Sequence, residues 1–394
     1  MTAGALAGVR VADLSNFLAG PMVSMFLGDF GAEVIKVERP EVGDESRLWG
    51  HRRDGVGLYY KVINRNKKSV VADLHTPLGV EVVRRLARVS DIMVENFRPG
   101  TLERWGLGYD VLSRENPGLI LVRVSGFGQS GPYRERPGFG TIAEAYAGFA
   151  YTNGYPDRPP LLPGFGLADS TTGLMGAFLA MAALRARDRG LAGGQVIDLA
   201  IYETLYTLLG PSVIDFDQLG IIQERCGSRL PFTAPRNTYE TADGHWVAIG
   251  GSSQSVFERI CMALGRPDLP GDPRFADNPA RLANADALDE ELGREVGKHD
   301  RSALLELLHA AQAAVSSVNS VADTFADPQI AARGNLVSVN DVDLGVMRMQ
   351  APLGHLSDTP GTIESAGPRL GADNRDVLVD LLGFSLSEVG DDKE

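Results

Sequence analysis

The segment of the chain most suggestive of chemistry is residues 164–173, which read Gly-Phe-Gly-Leu-Ala-Asp-Ser-Thr-Thr-Gly. Two glycines, which let other groups approach the backbone closely, precede Asp169, and a long stretch rich in alanine and leucine predicts a helix there. Asp169 could cap that helix by accepting a backbone N–H, which contributes about 1 kcal/mol. Alternatively, the positive end of the helix dipole would favour the ionised carboxylate that a covalent nucleophile requires. The spacing alone leaves both interpretations open.

Signatures of several common cofactor and metal sites are missing from the sequence. The turn after the first predicted strand reads Leu14-Ser-Asn-Phe-Leu18 rather than Gly-x-Gly-x-x-Gly. Gly164-Phe-Gly166 begins such a pattern, but Asp169 occupies the place of the third glycine. The chain also lacks a Walker A loop, a His-Glu-x-x-His motif and a Gly-x-Ser-x-Gly elbow, and its six histidines are scattered. These absences argue against a nicotinamide cofactor and give little support to a metal site.

The elements that must position these residues alternate between strands and helices in the first half of the chain. Hydrophobic patterns predict strands at 9–13, 33–37, 91–94, 119–124 and 195–199, and helices at 21–30, from Pro77 onward, at 168–187 and at 201–219. Such alternation favours an α/β fold with a doubly wound, Rossmann-like parallel sheet. Ligands of such sheets bind beyond the carboxyl ends of the strands, so we expect the loops after Asp13, Val37, Val94 and Val124 to form the binding region.

A cluster of turn residues at 226–235 separates this region from a second, smaller α+β domain. Beyond it the sequence predicts a β-hairpin at 237–249 with Asp243-Gly244 at its turn, a mainly helical region at 257–326, short strands at 336–339 and 347–350, and a last helix at 374–382. We predict a large domain formed by residues 1–220 and 327–394, and a small domain formed by residues 226–326.

Composition limits the classes of partner. Hydrophobic residues make up 44% and charged residues 23%, as in an ordinary globular protein. The net charge of -13 argues against nucleic-acid binding, which needs a basic face. The N-terminus does not resemble a signal peptide, and charged residues are expected to interrupt every window of the ~20 apolar residues that a membrane span needs. Cys226 and Cys261 are too few for a disulfide framework, so we expect a cytoplasmic protein with no membrane partner.

A series of different short motifs extends along nearly the whole chain. They are Val11-Ala-Asp-Leu-Ser15, Ala19-Gly-Pro21, residues 27–39, Asn66-Lys-Lys-Ser69, residues 91–100, Ser125-Gly-Phe-Gly128, Gly131-Pro132, residues 164–169, Gly194-Gln195 with Asp198, Asp243-Gly244, Asp327-Pro-Gln329 and Ala332-Arg-Gly334. This ordered set resembles the class III CoA-transferases, the family of formyl-CoA transferase and carnitine CoA-transferase. Each motif is weak alone, but the set is specific.

The resemblance implies a covalent reaction at Asp169. Its carboxylate would attack an acyl-CoA to give a mixed anhydride, which the released CoA thiolate converts to an aspartyl-CoA thioester. An acceptor carboxylate would then open that thioester. Coenzyme A is a substrate in this scheme, and no metal or redox cofactor is required. The resemblance also implies a homodimer of two interlocked, ring-like chains.

The resemblance further implies that Arg39, Asn96, Phe97 and Arg104 bind CoA. The arginines would meet its phosphates, because guanidinium groups match phosphate oxygens well. Asn96 and Phe97 would line the path of the pantetheine or adenine. Without the family resemblance, the arginines would be ordinary solvated charges, Asn96 a turn residue and Phe97 part of the core.

A short basic cluster, residues 65–68, stands out in this acidic chain. It is either a solvated loop or a contact for an anionic ligand. In the second interpretation Lys67 and Lys68 add positive charge to the CoA site.

Two alternatives to CoA transfer stay open. The family also contains 2-methylacyl-CoA racemases, which need a histidine in the loop at residues 136–141, where this chain has Phe139. Phenylalanine cannot act as a general acid or base, so the loop favours transfer over racemisation. A non-catalytic CoA-binding protein is the third possibility, and the presence of Asp169 argues against it.

The identity of the substrates is less well defined. Residues 249–253 are shorter than the glycine-rich lid of the formyl-CoA branch, and Leu18 stands where that branch has a glutamine. Formyl or oxalate specificity is therefore not implied, and we expect succinyl-CoA or a similar acyl-CoA as donor. Tyr146, Tyr151 and Tyr155 are candidates for lining the acceptor pocket, and packing at a domain surface would explain them equally well.

Overall fold

The computed structural model describes residues 4–389. Its strands are β1 (Arg10–Asp13), β2 (Glu33–Glu38), β3 (Arg52–Arg53), β4 (Val56–Gly57), β5 (Lys67–Val71), β6 (Ile92–Glu95), β7 (Ile120–Ser125), β8 (Val196–Ala200), β9 (Arg236–Glu240), β10 (Trp246–Gly250), β11 (Ala314–Ser317), β12 (Leu336–Asp341) and β13 (Gly345–Gln350). Its helices are α1 (Ala19–Asp29), α2 (Leu58–Ile63), α3 (Pro77–Val89), α4 (Thr101–Arg104), α5 (Tyr109–Glu115), α6 (Gly140–Tyr146), α7 (Phe149–Thr152), α8 (Leu167–Asp188), α9 (Ile201–Leu208), α10 (Ser212–Leu219), α11 (Gln254–Ala263), α12 (Asn278–Ala283), α13 (Ala285–Val296), α14 (Arg301–Ala310), α15 (Val321–Ala326), α16 (Pro328–Ala332) and α17 (Leu386–Val389). There are also 3-10 turns at Glu45–Leu48 and Leu269–Gly271 and a π-helix at Arg375–Leu381.

The central sheet has six strands in the order β5-β2-β1-β6-β7-β8, all paired in parallel. This confirms the predicted α/β class with a parallel sheet. The chain order reverses between β1 and β6, and such a switch point is where ligands of open parallel sheets bind. The loops that leave these two strands meet there, since Asn16 and Asn96 exchange hydrogen bonds of 2.8 and 2.7 Å.

Helices cover both faces of this sheet. One apolar cluster joins its strands to α1, α6, α8 and α9, and a second joins them to α3, α4, α5 and the π-helix. Glycines bring α8 very close to α1: a Cβ on Gly173 would lie 2.5 Å from Met22 Cβ, and one on Gly176 would lie 2.6 Å from Val23 Cγ2. This close packing sets the amino end of α8 next to the loop after β1.

Three elements differ from the sequence prediction. Residues Lys67–Val71 form the edge strand β5 rather than a loop: they pair in parallel with β2, and Lys67, Ser69 and Val70 are buried. The predicted helix 201–219 is two helices, α9 and α10, separated by Gly210 and Pro211. The strand β11 lies inside the region predicted to be helical and pairs with β10.

The chain divides into two compact units. One contains residues 1–149, 162–210 and 329–394, and the other contains residues 150–161 and 211–328. In the second unit, the predicted hairpin is present as β9 and β10, and helices α11, α13 and α14 pack their apolar residues against that sheet. This unit differs from the predicted range 226–326 because it begins at Pro211 and also takes up residues 150–161.

Helix α8 is long and apolar enough to cross a membrane by length and composition. Asp169 and Arg185 near its two ends leave only residues 170–184 free of charge, so the prediction that charges interrupt every window of ~20 residues holds for this helix. Buried core helices meet the same test, and α8 buries Ala168, Gly176 and Ala180 in the core beside the sheet. The test therefore gives no membrane assignment.

Candidate active site

Asp169 lies within the first turn of α8, three residues after Gly166. The N-cap residue is Gly166, which has no side chain to cap the helix, and Asp169 is the third residue of α8. The interpretation of Asp169 as the helix cap is therefore wrong. Its half-buried carboxylate is not engaged in capping, and the positive end of a 22-residue helix still favours its ionised form.

Gly140 makes room for this carboxylate, and Gly166 makes room for the neighbouring Leu18. A Cβ on Gly140, the first residue of α6, would lie 2.2 Å from Asp169 Oδ2. A Cβ on Gly166 would lie 3.5 Å from the same oxygen and 2.6 Å from Leu18 Cδ2. Gly164, also singled out in the sequence, would meet no described atom within 4 Å. The sequence did not point to Gly140, because only tertiary packing brings it to Asp169.

The surroundings make Asp169 more basic than an ordinary aspartate. Burial, followed by the negative charge of Glu144, raises the pKa of Asp169 to about 6, while the backbone N–H of Gly140 acts in the opposite direction. Near pH 7 the carboxylate is still mainly ionised. A basic yet ionised carboxylate suits a nucleophile.

Four aromatic side chains form a contiguous group beside Asp169, which we call the aromatic wall: Phe17, Trp49, Tyr59 and Phe139. Ring centroids are 5.1 Å apart for Phe17 and Trp49, 5.8 Å for Phe17 and Phe139, and 6.0 Å for Trp49 and Tyr59. Burial, followed by the negative charge of Asp169, raises the pKa of Tyr59, so the phenol and the carboxylate interact electrostatically. Phe139, where the family resemblance predicts a histidine in racemases, is 58% exposed and carries no titratable group.

The loop that carries Phe17 is held in an unusual conformation. Phe17 has a φ of 67°, a region that bulky residues rarely adopt. Its backbone N–H donates to Asp44 Oδ1 at 3.1 Å, and the neighbouring Asn16 is fixed by Asn96. Asn96 therefore connects the predicted CoA-binding turn to the aromatic wall.

The four main CoA-binding candidates lie at the carboxyl ends of β2 and β6 or shortly after them. Arg39 follows β2, is half-exposed and pairs with Glu45 at 2.6 Å. Asn96 and Phe97 follow β6, and the exposed Arg104 ends the short helix α4. The two guanidinium groups remain accessible to solvent, as phosphate ligands require.

The turn at Phe97 rests on residues that the sequence did not indicate. Its backbone N–H donates to the buried Glu95 at 2.7 Å, and Arg123 donates to the same carboxylate at 2.7 Å. Burial raises the pKa of Glu95 to about 7, although Arg123 opposes this. The Phe97 ring packs against Trp105 at 5.1 Å, and Trp105 packs against His75 at 5.4 Å. Glutamate and tryptophan next to a turn give no local signal of this arrangement.

Lys67 and Lys68 each have protein partners in the structure. The Lys67 ammonium is fully buried, and each of its three N–H groups has a protein acceptor. The acceptors are Asp13 Oδ2 at 2.9 Å, Pro21 O at 2.8 Å and Asn64 Oδ1 at 2.9 Å. Lys68 pairs with Glu33 at 2.7 Å, near the amino ends of β5 and β2, whereas ligands bind beyond the carboxyl ends. These contacts remove both lysines from the candidate site.

The three tyrosines proposed for the acceptor pocket do not form one group. Tyr146 packs edge to face against Tyr202 at 5.0 Å and Phe127 at 5.2 Å. Tyr151 and Tyr155 belong to the other compact unit, where the Tyr151 hydroxyl donates to Glu224. Each of the three is about half-exposed, so packing within its own unit covers only part of each ring.

Comparison with known proteins defines the class of this enzyme. Residues 6–374 match the model of CoA-transferase family III. The chain therefore belongs to CoA-transferase family III and is an enzyme that acts on CoA thioesters.

Named relatives and a solved structure agree with this assignment. The chain is 44% identical over 382 residues to succinyl-CoA–D-citramalate CoA-transferase of Chloroflexus aurantiacus, covering 97% of this chain and 95% of the relative. It is 37% identical over 385 residues to succinate–glutarate CoA-transferase of Agrobacterium fabrum, covering 95% of both chains. A CAIB/BAIF family protein from Brucella suis has a similar structure, with a TM-score of 0.86 and 35% identity over 97% of this chain and 100% of that one.

Proposed function

We propose that this enzyme transfers CoA from succinyl-CoA or a similar acyl-CoA to a carboxylic acid through a covalent intermediate on Asp169. The observation that carries the proposal is the Asp169 carboxylate, which is uncommitted to capping, flanked by glycines and ionised near neutral pH. Two similar proteins are named as CoA-transferases of succinyl-CoA with D-citramalate and of succinate with glutarate. Those names support a dicarboxylic acyl donor.

The reaction proceeds through a sequence of acyl transfers in which Asp169 is first nucleophile and finally leaving group. An Asp169 oxygen bonds to the donor acyl carbon and the C–S bond breaks. CoA leaves as the thiolate, and a mixed anhydride of Asp169 and the donor acid remains. The thiolate attacks the Asp169 carbonyl carbon, which releases the donor acid and forms the aspartyl-CoA thioester. The acceptor carboxylate attacks this thioester and expels the thiolate again. The thiolate then attacks the acceptor acyl carbon, which restores Asp169 and yields the new acyl-CoA.

CoA binding is assigned to the carboxyl edge of the central sheet. Arg39 and Arg104 contact the phosphates, and Asn96 and Phe97 line the path from the nucleotide toward Asp169. The accessible guanidinium groups and the hydrogen bonds between Asn16 and Asn96 support this arrangement. CoA is the substrate in this assignment, and the residues described here need no further cofactor for the proposed steps.

The alternative reactions have less support in the site. Racemisation beside the thioester needs a proton donor and acceptor at the α-carbon, and Phe139 supplies neither. A protein that only binds CoA has no need of a carboxylate with a raised pKa beside two glycines. Transfer is the function that uses both features.

We also propose that the enzyme acts as a homodimer in the cytoplasm. No residue of α10 is buried, although this helix and the residues after it are rich in apolar side chains. Six apolar residues of this segment are each more than two fifths exposed: Val213, Ile214, Phe216, Leu219, Ile221 and Ile222. Extended apolar surfaces of this kind mark protein interfaces, and light scattering that shows a single-chain mass would contradict the dimer.

Intact-protein mass spectrometry after incubation with a panel of acyl-CoA donors tests the covalent route. The wild-type enzyme should gain an adduct of the mass of CoA that hydroxylamine removes, and Asp169→Ala should gain none. Asp188→Ala is the matched control, since Asp188 lies at the other end of the same helix and is exposed. It should form the adduct like the wild type.

Two results would contradict the proposal. An adduct that persists in Asp169→Ala would place the nucleophile elsewhere. A wild-type enzyme that binds CoA normally but forms no adduct with any donor would favour the isomerase or the binding protein. The donor that gives the adduct fastest identifies the acyl-CoA substrate.

A further inference from the structure

Glu144 is a second carboxylate beside the proposed nucleophile. It lies one turn after Gly140 on α6 and is only 3% exposed. Its Oε1 accepts the backbone N–H of Ala168 at 3.2 Å, immediately before Asp169 in the first turn of α8. Helix α6 therefore meets the amino end of α8 twice, through the Gly140 backbone against the Asp169 carboxylate and through the Glu144 side chain.

A buried glutamate at this place is not explained by hydrogen bonding alone. The first N–H groups of a helix need acceptors, and a glutamine would accept the same bond. The carboxylate adds a second negative charge next to Asp169, and like charges in a buried site disfavour each other's ionised form. The carboxylate is a stronger acceptor than glutamine at the positive end of α8, but it also disfavours the ionised form of Asp169, which points to a role beyond holding the helix.

The groups that face Asp169 from other elements do not cancel this charge. Within residues 4–389, the titratable groups that interact with the carboxylate are Glu144 from α6 and Tyr59 from α2. Leu18 contributes an apolar side chain near Gly166, and Gly140 contributes a backbone N–H. Glu144 thus supplies the charge that acts on Asp169 from nearby.

We propose that Glu144 is a positioning residue that holds the first turn of α8 and, by like-charge repulsion, makes the Asp169 carboxylate a stronger nucleophile. This inference rests on the function proposed above and adds a residue to it. Glu144 touches neither substrate nor CoA in this role, and it acts only through α8 and Asp169.

The raised pKa of Asp169 shows why such repulsion is useful. For a carboxyl group with a pKa of about 6, the ionised form outnumbers the protonated form roughly tenfold at pH 7, because one pH unit changes this ratio tenfold. Nucleophilicity rises with basicity, so the increase from an ordinary aspartate gains reactivity with little loss of the ionised form. We therefore expect the rate of adduct formation to fall as the pH drops below about 6, because Asp169 becomes protonated.

Glu144→Gln tests the charge while keeping an acceptor for the Ala168 N–H. In this variant the pH below which the rate of CoA-adduct formation falls should shift from near 6 to about one pH unit lower. The rate at pH 8 should fall several-fold. Glu135→Gln is the matched control, because Glu135 is exposed in the loop before α6 and pairs with Arg134. Its pH profile should match the wild type. Glu144→Ala, which also removes the acceptor, should lower the rate further at every pH.

A second measurement does not depend on catalysis. Infrared difference spectra between the wild type and Asp169→Asn, recorded across pH, follow protonation of the Asp169 carboxyl directly, and the same pair can be measured in the Glu144→Gln background. If the Asp169 titration lies at lower pH in the Glu144→Gln background, the role of Glu144 is supported. Should no donor form an adduct in the same enzyme, only the proposed function fails. If adduct formation is normal and both the titration and the pH profile are unchanged in Glu144→Gln, the role assigned to Glu144 is refuted.

Discussion

Replacing Gly140 by alanine should disable Asp169 without disturbing the fold. Gly140 is the first residue of α6 and is not in the left-handed region, so alanine suits its backbone and even favours a helix. The added Cβ, however, would lie 2.2 Å from Asp169 Oδ2 and 2.9 Å from Cγ. Ordinary contacts begin at 3.4 Å, so the carboxylate has to move by about 1 Å.

The size of the effect follows from that displacement. A misplacement of about 1 Å in a reacting group costs on the order of 100-fold in rate. We therefore expect Gly140→Ala to slow formation of the CoA adduct about 100-fold, as followed by rapid-quench mass spectrometry. The melting temperature should stay within a few degrees of the wild type, because the helix itself tolerates alanine.

Gly164→Ala provides the matched control for this prediction. It also adds one methyl group near the same helix, but its Cβ would meet no described atom within 4 Å. Its rate should remain within about threefold of the wild type. If Gly140→Ala reacts as fast as Gly164→Ala, then Gly140 does not shape the nucleophile site and the reasoning from close contact is refuted.

Two further predictions concern the charged residues. Lys67→Met should lower the free energy of unfolding by about 3–5 kcal/mol in chemical denaturation, because it leaves Asp13 buried without its 2.9 Å partner; an unchanged value would show that the pair is dispensable. Arg39→Ala and Arg104→Ala should each weaken CoA binding about tenfold in calorimetry, since each removes a proposed phosphate contact, whereas Lys68→Ala should not. An equal loss in Lys68→Ala would return that lysine to the site.

Local pattern was enough to predict most of the large unit. Residues 9–13, 33–37, 91–94 and 119–124 carry short apolar runs between turn residues, and each is a strand within one or two residues of the prediction. The strand β5 was missed, because its first residues, Lys67 and Lys68, have the composition of a loop. The buried acceptors around Lys67 explain a lysine there, and two of them, Asp13 and Pro21, lie far from it in the sequence.

The site divides in the same way. Asp169 could be found from its local motif, although its exact place in α8 was not, since a cap and a first-turn residue differ by only a few positions. Gly140, Glu144 and Tyr59 were not found, because each reaches Asp169 through the packing of separate elements. Their residue types alone suggest helix, loop or core, and no spacing in the sequence connects them.

Buried charges beneath the site have a positional role that stability alone does not explain. Lys36 donates to the backbone carbonyl of Ser15 at 2.7 Å and pairs with Asp44 at 2.8 Å, and all of these groups are enclosed. Asp44 in turn accepts the N–H of Phe17, whose positive φ would otherwise be unfavourable. Buried ion pairs add little net stability compared with apolar packing. This pair fixes the loop after β1 in the conformation that places Phe17 in the aromatic wall. The buried charges of Lys36 and Asp44 therefore shape the surface around Asp169.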